Sequence, residues 1–263
     1  MPTLETGETA KCAGESRAEG SMKRKKLIIR IGLGVLVFIL IALGLFQLSR
    51  SRTFQLFGGI VNREATDEKV AALTFDDGPS AQTDEILRIL DAEQAKATFF
   101  LVGQEIAAHP QEAARIAAAG YQIGNHSYSH QRMVLHSYGF ISDEIERTDK
   151  LIRQAGYDGE IRFRPPNGKK LVLLPLYLKL HDRKTILWTL EPNSYPEVDA
   201  TAEGIVQYVL KHAQPGMIVL LHPMGERSGQ TSREALPGIV QGLRAQGYAL
   251  LTVNELLARS PAR

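Results

Sequence analysis

From Leu27 to Leu48 the chain runs for 22 residues with only Arg30 and Gln47 as strongly polar side chains, and nothing else in its 263 residues limits folding so tightly. As a helix rising 1.5 Å per residue this stretch is about 33 Å long, enough to cross the hydrocarbon core of a bilayer. Lys23-Arg24-Lys25-Lys26 stand directly before it, and Arg30 lies close enough to that end for its side chain to reach the headgroups. Four cations on one flank favour a cytoplasmic N-terminus and send the chain after about residue 50 outside. The stretch is long for a cleaved leader, and Phe46-Gln47-Leu48-Ser49-Arg50 is a poor small-residue cleavage site. A single-pass signal anchor is therefore the prediction, in preference to a cleaved signal peptide or a buried helix of a soluble domain. Residues 1–22, polar and without an apolar period, read as a disordered cytoplasmic tail.

The anchor divides the charge. Residues 1–50 carry a net +4 and residues 51–263 a net −2, out of 31 Lys and Arg and 29 Asp and Glu in all. The exported part is thus no basic body for nucleic acid. Cys12 is the single cysteine, which excludes an internal disulfide framework and a multi-cysteine zinc site, and no role is predicted for it.

Residues 49–68 read as a linker with a soft joint at Gly58-Gly59, and residues 69–263 as the folded domain. In that domain strand and helix patterns alternate. Strands are predicted at 70–75, 97–102, 121–124, 161–164, 185–190, 217–221 and 249–253. Helices are predicted at 83–93, 104–119 with a break at Pro110, 142–155, 171–181, 202–213, 233–246 and 255–258. Short, uniformly apolar strands separated by helices argue for a parallel sheet with crossover connections. A doubly wound sheet and a distorted βα-barrel both satisfy the pattern. No glycine-rich dinucleotide loop follows the first strand, which argues against a nucleotide cofactor.

Five polar clusters follow predicted strands, where α/β folds build their sites. The first is Thr74-Phe75-Asp76-Asp77-Gly78-Pro79. Its adjacent carboxylates repel each other, and strand alternation points them to opposite sides; a metal could take one and leave the other as a base. The second, Asn125-His126-Ser127-Tyr128-Ser129-His130, brings two imidazoles together if the segment has helical pitch. Two imidazoles and a carboxylate leave coordination positions open, as a catalytic metal needs, and the same set serves non-haem iron. The others are Arg162-Phe163-Arg164-Pro165-Pro166-Asn167-Gly168, Trp188-Thr189-Leu190-Glu191-Pro192, and Leu220-Leu221-His222-Pro223. Taken singly, each also has an ordinary structural explanation: a turn, surface histidines, a stiff connection, a core tryptophan, a satisfied strand-end histidine.

In order and spacing, the five clusters together resemble the motifs of the polysaccharide deacetylase family, the NodB-like domain of carbohydrate esterase family four. The resemblance spans about residues 69–256, and Phe99-Phe100-Leu101-Val102-Gly103 is also similar. It implies a distorted (β/α) barrel, one divalent metal, most often zinc, and removal of acetyl groups from N-acetylated sugar polymers such as peptidoglycan or chitin. It implies Asp77, His126 and His130 as metal ligands, Asp76 as general base, and Arg164 as the residue that keeps Asp76 ionised and oriented. Asn167 would offer a backbone N–H to the oxyanion, Trp188 and Leu220 would line the acetyl pocket, and His222 would be the general acid. Three positions depart from the pattern. Asn167 replaces a usual aromatic residue, Glu191 replaces an Asp that tunes the acid histidine, and Ser194 occupies an often acidic position. Lys169-Lys170 are candidates to touch an anionic glycan. The partners implied are an oligosaccharide or polysaccharide and the membrane. An inactive glycan-binding relative, or a hydrolase of a non-sugar amide, would carry the same fold.

Overall fold

A computed structural model of the chain describes residues 8–226 and 229–259, with residues 8–25 and 27 given by their backbone alone. It divides into two units, residues 1–47 and 48–263. Helix α1 (Glu8–Arg50) supplies, with its residues 8–47, the described part of the first. Its stretch Ile28–Arg50 is long and apolar enough to cross a membrane, and side chains such as Ile28, Leu33 and Phe38 are exposed along it. The predicted tail is helical from Glu8 onward, in keeping with its alanines and glutamates. Residues 1–7 of that tail, and 260–263 of the predicted domain, lie outside the described residues.

The second unit begins with residues that the sequence suggests are a loose linker but that pack onto the body. Strand β1 (Ile60–Val61) pairs in parallel with β5 (Thr185–Ile186), and the Glu64 N–H donates to the Gly216 carbonyl at 2.8 Å. Then follow β2 (Val70–Gly78), α2 (Thr83–Ala92), β3 (Thr98–Leu101), α3 (Gly103–Ala108), α4 (Pro110–Ala118) and β4 (Gln122–Asn125). Pro110 opens α4, where its missing N–H costs nothing. Helices α5 (Tyr138–Gln154) and α6 (Leu173–Leu180) precede β5. After it come α7 (Pro196–Asp199), α8 (Ala202–Lys211), β6 (Met217–Leu221), α9 (Gln230–Ala245), β7 (Ala249–Leu251) and α10 (Val253–Leu257).

Strands β4, β3, β2 and β6 lie side by side, all parallel, and β7 also pairs with β2. The result is a mixed α/β fold on a parallel sheet. Where the sequence leads one to expect a barrel, the sheet edges continue as isolated bridges: Asn125 to Phe163, Phe163 to Thr185, and Leu190 to Val219. The predicted strand at 161–164 reduces to Phe163 alone, because Pro165 and Pro166 cannot extend a ladder.

Alternation along β2 sorts its residues. Ala71, Leu73 and Phe75 join the core against α2, α4, α8 and α9, while Val70 and Ala72 face a second cluster with Phe100, Trp188, Ile218 and Leu220. Thr74 and Asp76 continue that second face toward the carboxyl end, so polar side chains end a row of apolar ones. Gly124 lets β4 approach β3 closely there: a Cβ would lie 2.5 Å from the Phe100 ring. Gly124→Ala should therefore destabilise the protein by about 1–3 kcal/mol through overpacking, read as a lower urea midpoint.

Candidate metal centre and cavity

The end of β2 is not a regular strand. Its register with β3 shifts between Asp76 and Gly78, and Asp77 adopts a left-handed backbone, φ 70°. This corrects the expectation that the two carboxylates point apart: the bulge turns Asp77 back toward its neighbour's side. His126 Nε2 consequently lies 3.5 Å from Asp76 Oδ2 and 3.6 Å from Asp77 Oδ1. Asp76 is buried, while the Asp77 side chain is nearly half exposed.

The histidines sit on a loop after β4 rather than on a helical turn. Ser127 and His130 both have left-handed backbones, φ 65° and 56°. Internal hydrogen bonds hold the loop: the Ser127 N–H donates to Asn125 Oδ1 at 2.8 Å, and the His130 N–H to Ser127 Oγ at 3.1 Å. The buried carboxylate of Glu144 on α5 accepts the N–H groups of Tyr128 and Ser129, at 3.0 and 2.8 Å. His130 Nε2 then lies 3.1 Å from Asp77 Oδ1.

One ligand atom from each of Asp77, His126 and His130 lies within 4.8 Å of the other two. Ligands about 2.0–2.1 Å from a tetrahedral ion stand roughly 3.3 Å apart, so the donor set fits a small divalent cation. His126 Nδ1 is 2.8 Å from the Arg164 carbonyl, which can only accept. That nitrogen therefore carries the proton, and the lone pair of Nε2 faces the carboxylates, as a metal-binding imidazole requires.

Arg164 has no solvent exposure. Its Nη1 donates to Asp76 Oδ1 at 2.6 Å and to Thr74 Oγ1 at 2.8 Å, and its Nη2 to the Leu187 carbonyl at 3.2 Å. The guanidinium also lies 4.0 Å above the Phe100 ring. Burial lowers its pKa, and the charge of Asp76 opposes that shift.

Nine of the ten predicted site residues line one cavity of about 270 Å³, Arg164 standing behind it. Trp188 and Leu220 form its buried wall, and Asn167 is exposed at its edge with a left-handed φ of 52°. A larger cavity of about 530 Å³ opens beside Ala97 and Gln122, at the other end of β3 and β4, and contains none of these residues.

The acid candidate is placed differently from expectation. Glu191 Oε2 accepts from Trp188 Nε1 at 2.9 Å and from Arg52 at 3.4 Å. His222 instead meets Asn193, whose Oδ1 lies 3.3 Å from the His222 N–H and 3.5 Å from ring Nδ1. Asn193 Nδ2 donates to Asp199 at 2.6 Å and Ser232 at 3.0 Å, which fixes the amide with its oxygen toward His222. The short turn Pro192–Ser194 carries Asn193 there. Nothing local in the sequence marks Asn193. Glu144 did leave a signal, since it shares the buried face of the helix predicted at 142–155 with Ile145, Thr148 and Ile152.

The family model described as polysaccharide deacetylase matches residues 63–185. A peptidoglycan-N-acetylglucosamine deacetylase of Bacillus cereus is 34% identical over 196 residues, covering 73% of this chain and 89% of that protein. The crystal structure of a peptidoglycan N-acetylglucosamine deacetylase in complex with a hydroxamate-type benzamide superposes with a TM-score of 0.70 at 30% identity, covering 77% of this chain and 94% of the other. A pseudoenzyme of carbohydrate esterase family four from Bacillus anthracis matches with a TM-score of 0.68 at 29% identity, over 77% of this chain and 70% of the other. The chain belongs to the polysaccharide deacetylase family.

Proton competition at this centre has a definite sign. The hydrogen bond to Asp77 raises the His130 pKa against the lowering effect of burial, whereas burial lowers that of His126. Burial would raise the Asp77 pKa, but the His130 hydrogen bond and the charges of His126, His222 and His130 outweigh it and hold the carboxyl below its usual range. Both imidazoles must be neutral to ligate, so ion uptake releases the His130 proton. Affinity for added zinc should fall as pH drops through the histidine range, beginning above an ordinary histidine's value. Equilibrium dialysis across pH checks this, and the His130→Ala protein should retain little ion at any pH.

Proposed function

We propose that this protein is a membrane-anchored hydrolase that uses a divalent ion, zinc, to remove N-acetyl groups from amino-sugar units of a cell-envelope polysaccharide. Peptidoglycan N-acetylglucosamine and chitin-like oligomers are the proposed substrates. The observation that carries this reading is the convergence of three ligands, a buried second carboxylate and a histidine on one cavity. The proposed layout is an anchor at 23–48, with the N-terminus cytoplasmic, and a catalytic domain at 69–263 on the outer side, of distorted barrel type. The Lys23–Lys26 flank and the span Ile28–Arg50 support it.

When bound to Asp77, His126 and His130, the ion supplies Lewis-acid activation of water and of the amide carbonyl. Asp76 takes the proton from the attacking water, and Arg164 orients its carboxylate for that task. The Asn167 backbone N–H is proposed as a donor to the oxygen on which charge develops. Trp188 and Leu220 enclose the acetyl methyl. An amine leaves only once protonated, and His222 gives that proton from Nε2. Asn193 acts on His222 as a positioning residue, holding Nδ1 in its donor form. Glu191 accepts from Trp188 Nε1 and so steadies that wall of the cavity.

Likeness to a pseudoenzyme means that the fold alone does not carry activity, and a glycan-binding role is the second reading. Acetate release from N-acetylglucosamine oligomers and from peptidoglycan, by the full chain with added zinc, decides between them. Release from neither substrate by a fully metal-loaded protein would overturn the hydrolase reading. Asp76→Asn should keep its metal and lose roughly 10²–10⁴-fold in turnover. His222→Ala should slow amide cleavage far more than cleavage of an activated acetate ester. Asn193→Ala should lower kcat by about tenfold and leave KM nearly unchanged, a smaller loss than for His222→Ala because it acts through orientation.

A further inference from the structure

Lys170 turns inward and is 1% exposed; its Nζ donates to the Ser51 carbonyl, and its backbone N–H donates to the Ser49 carbonyl at 3.1 Å. Burial takes it out of reach of a glycan, and its bonds instead hold the segment after residue 48 against the body. Ser51 Oγ accepts the N–H groups of Thr53 and Phe54, at 3.4 and 3.1 Å. The buried Gln55 side chain donates to the Phe57 and Gly59 carbonyls, at 2.8 and 3.0 Å. Between these fixed points Arg52 lines the cavity.

Arg52 Nη2 lies 3.4 Å from Glu191 Oε2, and its guanidinium stands 5.0 Å from the centre of the Trp188 ring. The same carboxylate oxygen accepts from Trp188 Nε1 at 2.9 Å. Among the described residues, Nε and Nη1 of Arg52 and Oε1 of Glu191 make no hydrogen bond. The pair is therefore a neutral unit with donors left over on one member and an acceptor left over on the other. A hydroxyl both donates and accepts. Two adjacent hydroxyls of a sugar match the pair, one accepting from the guanidinium and the other donating to the carboxylate. An anion gains less there, because Glu191 repels it as Arg52 attracts it.

The cavity, about 270 Å³, is smaller than pockets that enclose a drug-sized ligand whole, so an oligosaccharide must extend past its mouth. Trp188 is 5% exposed and Asn167 brings no ring to the edge, which leaves little aromatic face for a second sugar to stack on. The Arg52 side chain, 43% exposed, is the polar alternative on that wall. We propose that Arg52 and Glu191 form a subsite for two neighbouring hydroxyls of a neutral sugar unit, the one adjoining the unit whose acetamide enters the cavity. Arg52 is thereby a residue that selects for oligomers over single sugars. The class of ligand rests on the deacetylase reading.

The test is equilibrium binding to the full chain in zwitterionic micelles, stripped of metal so that nothing is turned over, with the monomer, dimer and trimer of N-acetylglucosamine as probes. The trimer should bind the unaltered protein about tenfold more tightly than the monomer does. Arg52→Gln should weaken the trimer about three- to tenfold and the monomer less than twofold. Arg52→Lys, which keeps the charge and loses the planar fork, should recover part of the loss. Glu191→Gln keeps an amide oxygen for Trp188 Nε1 but gives up the second acceptor, and should weaken the trimer to a similar degree. The double variant should do little worse than either single one, because both groups hold the same ligand unit. Equal Kd values at all three lengths, no binding at any length, or a length advantage that survives both single variants overturns the proposal. Equal weakening of monomer and trimer by Arg52→Gln also overturns it, since Arg52 would then only support the Trp188 wall. Acetate release by zinc-loaded aliquots reports separately on the deacetylase reading. Binding that depends on length and on Arg52 without any release leaves the subsite standing and removes the enzyme; release with a KM that Arg52→Gln does not change leaves the enzyme and removes the subsite.

Discussion

The pairing of Arg164 with Asp76, closed to solvent at 2.6 Å, is the interaction on which the site depends. Burying both ions costs several kcal/mol each, and close pairing with further hydrogen bonds offsets that cost even though the buried Arg164 Nε has no hydrogen-bond partner among the described residues. Here the guanidinium also reaches Thr74 and the Leu187 carbonyl and lies against Phe100, while the Arg164 carbonyl accepts from His126. One residue thus orients the proposed base with its side chain and a proposed ligand with its backbone. Displacing it disturbs both, which links proton transfer and metal binding through a single position.

Backbone strain does the second part of the arrangement. Asp77, Ser127 and His130 each take a left-handed conformation that non-glycine residues adopt only at a cost of about 1 kcal/mol or more. The surroundings hold them there: the bulge between β2 and β3, the Asn125 and Ser127 side chains, and the Glu144 carboxylate below the histidine loop. Short polar side chains and a buried acid therefore shape a centre that regular strands and helices could not build.

The same economy appears at the cavity mouth. Lys170 turns a segment that reads as a linker into part of the wall, so the residues just after the apolar span contribute charge to the cleft. Asn193, tied to Asp199 and Ser232, stands where a carboxylate is expected beside His222. A neutral amide orients the imidazole without adding a negative charge to it.

Much of this was legible in the residue order. Apolar period places the longer helices of the body, though α5 begins at Tyr138 rather than at 142 and the short α7 is not foreseen, and the apolar stretch before residue 50 stands out by length alone. The five clusters, each just past a strand, name nine of the residues that meet in one cavity. These features are local, governed by how each segment covers apolar surface and ends its hydrogen bonds. What only the tertiary structure decided was direction and partnership. Strand alternation separates Asp76 from Asp77, yet a bulge against β3 reunites them; the family resemblance sets Glu191 beside the acid candidate His222, yet Asn193 lies against it. Such outcomes depend on contacts between segments far apart in the chain, which no neighbouring residue records.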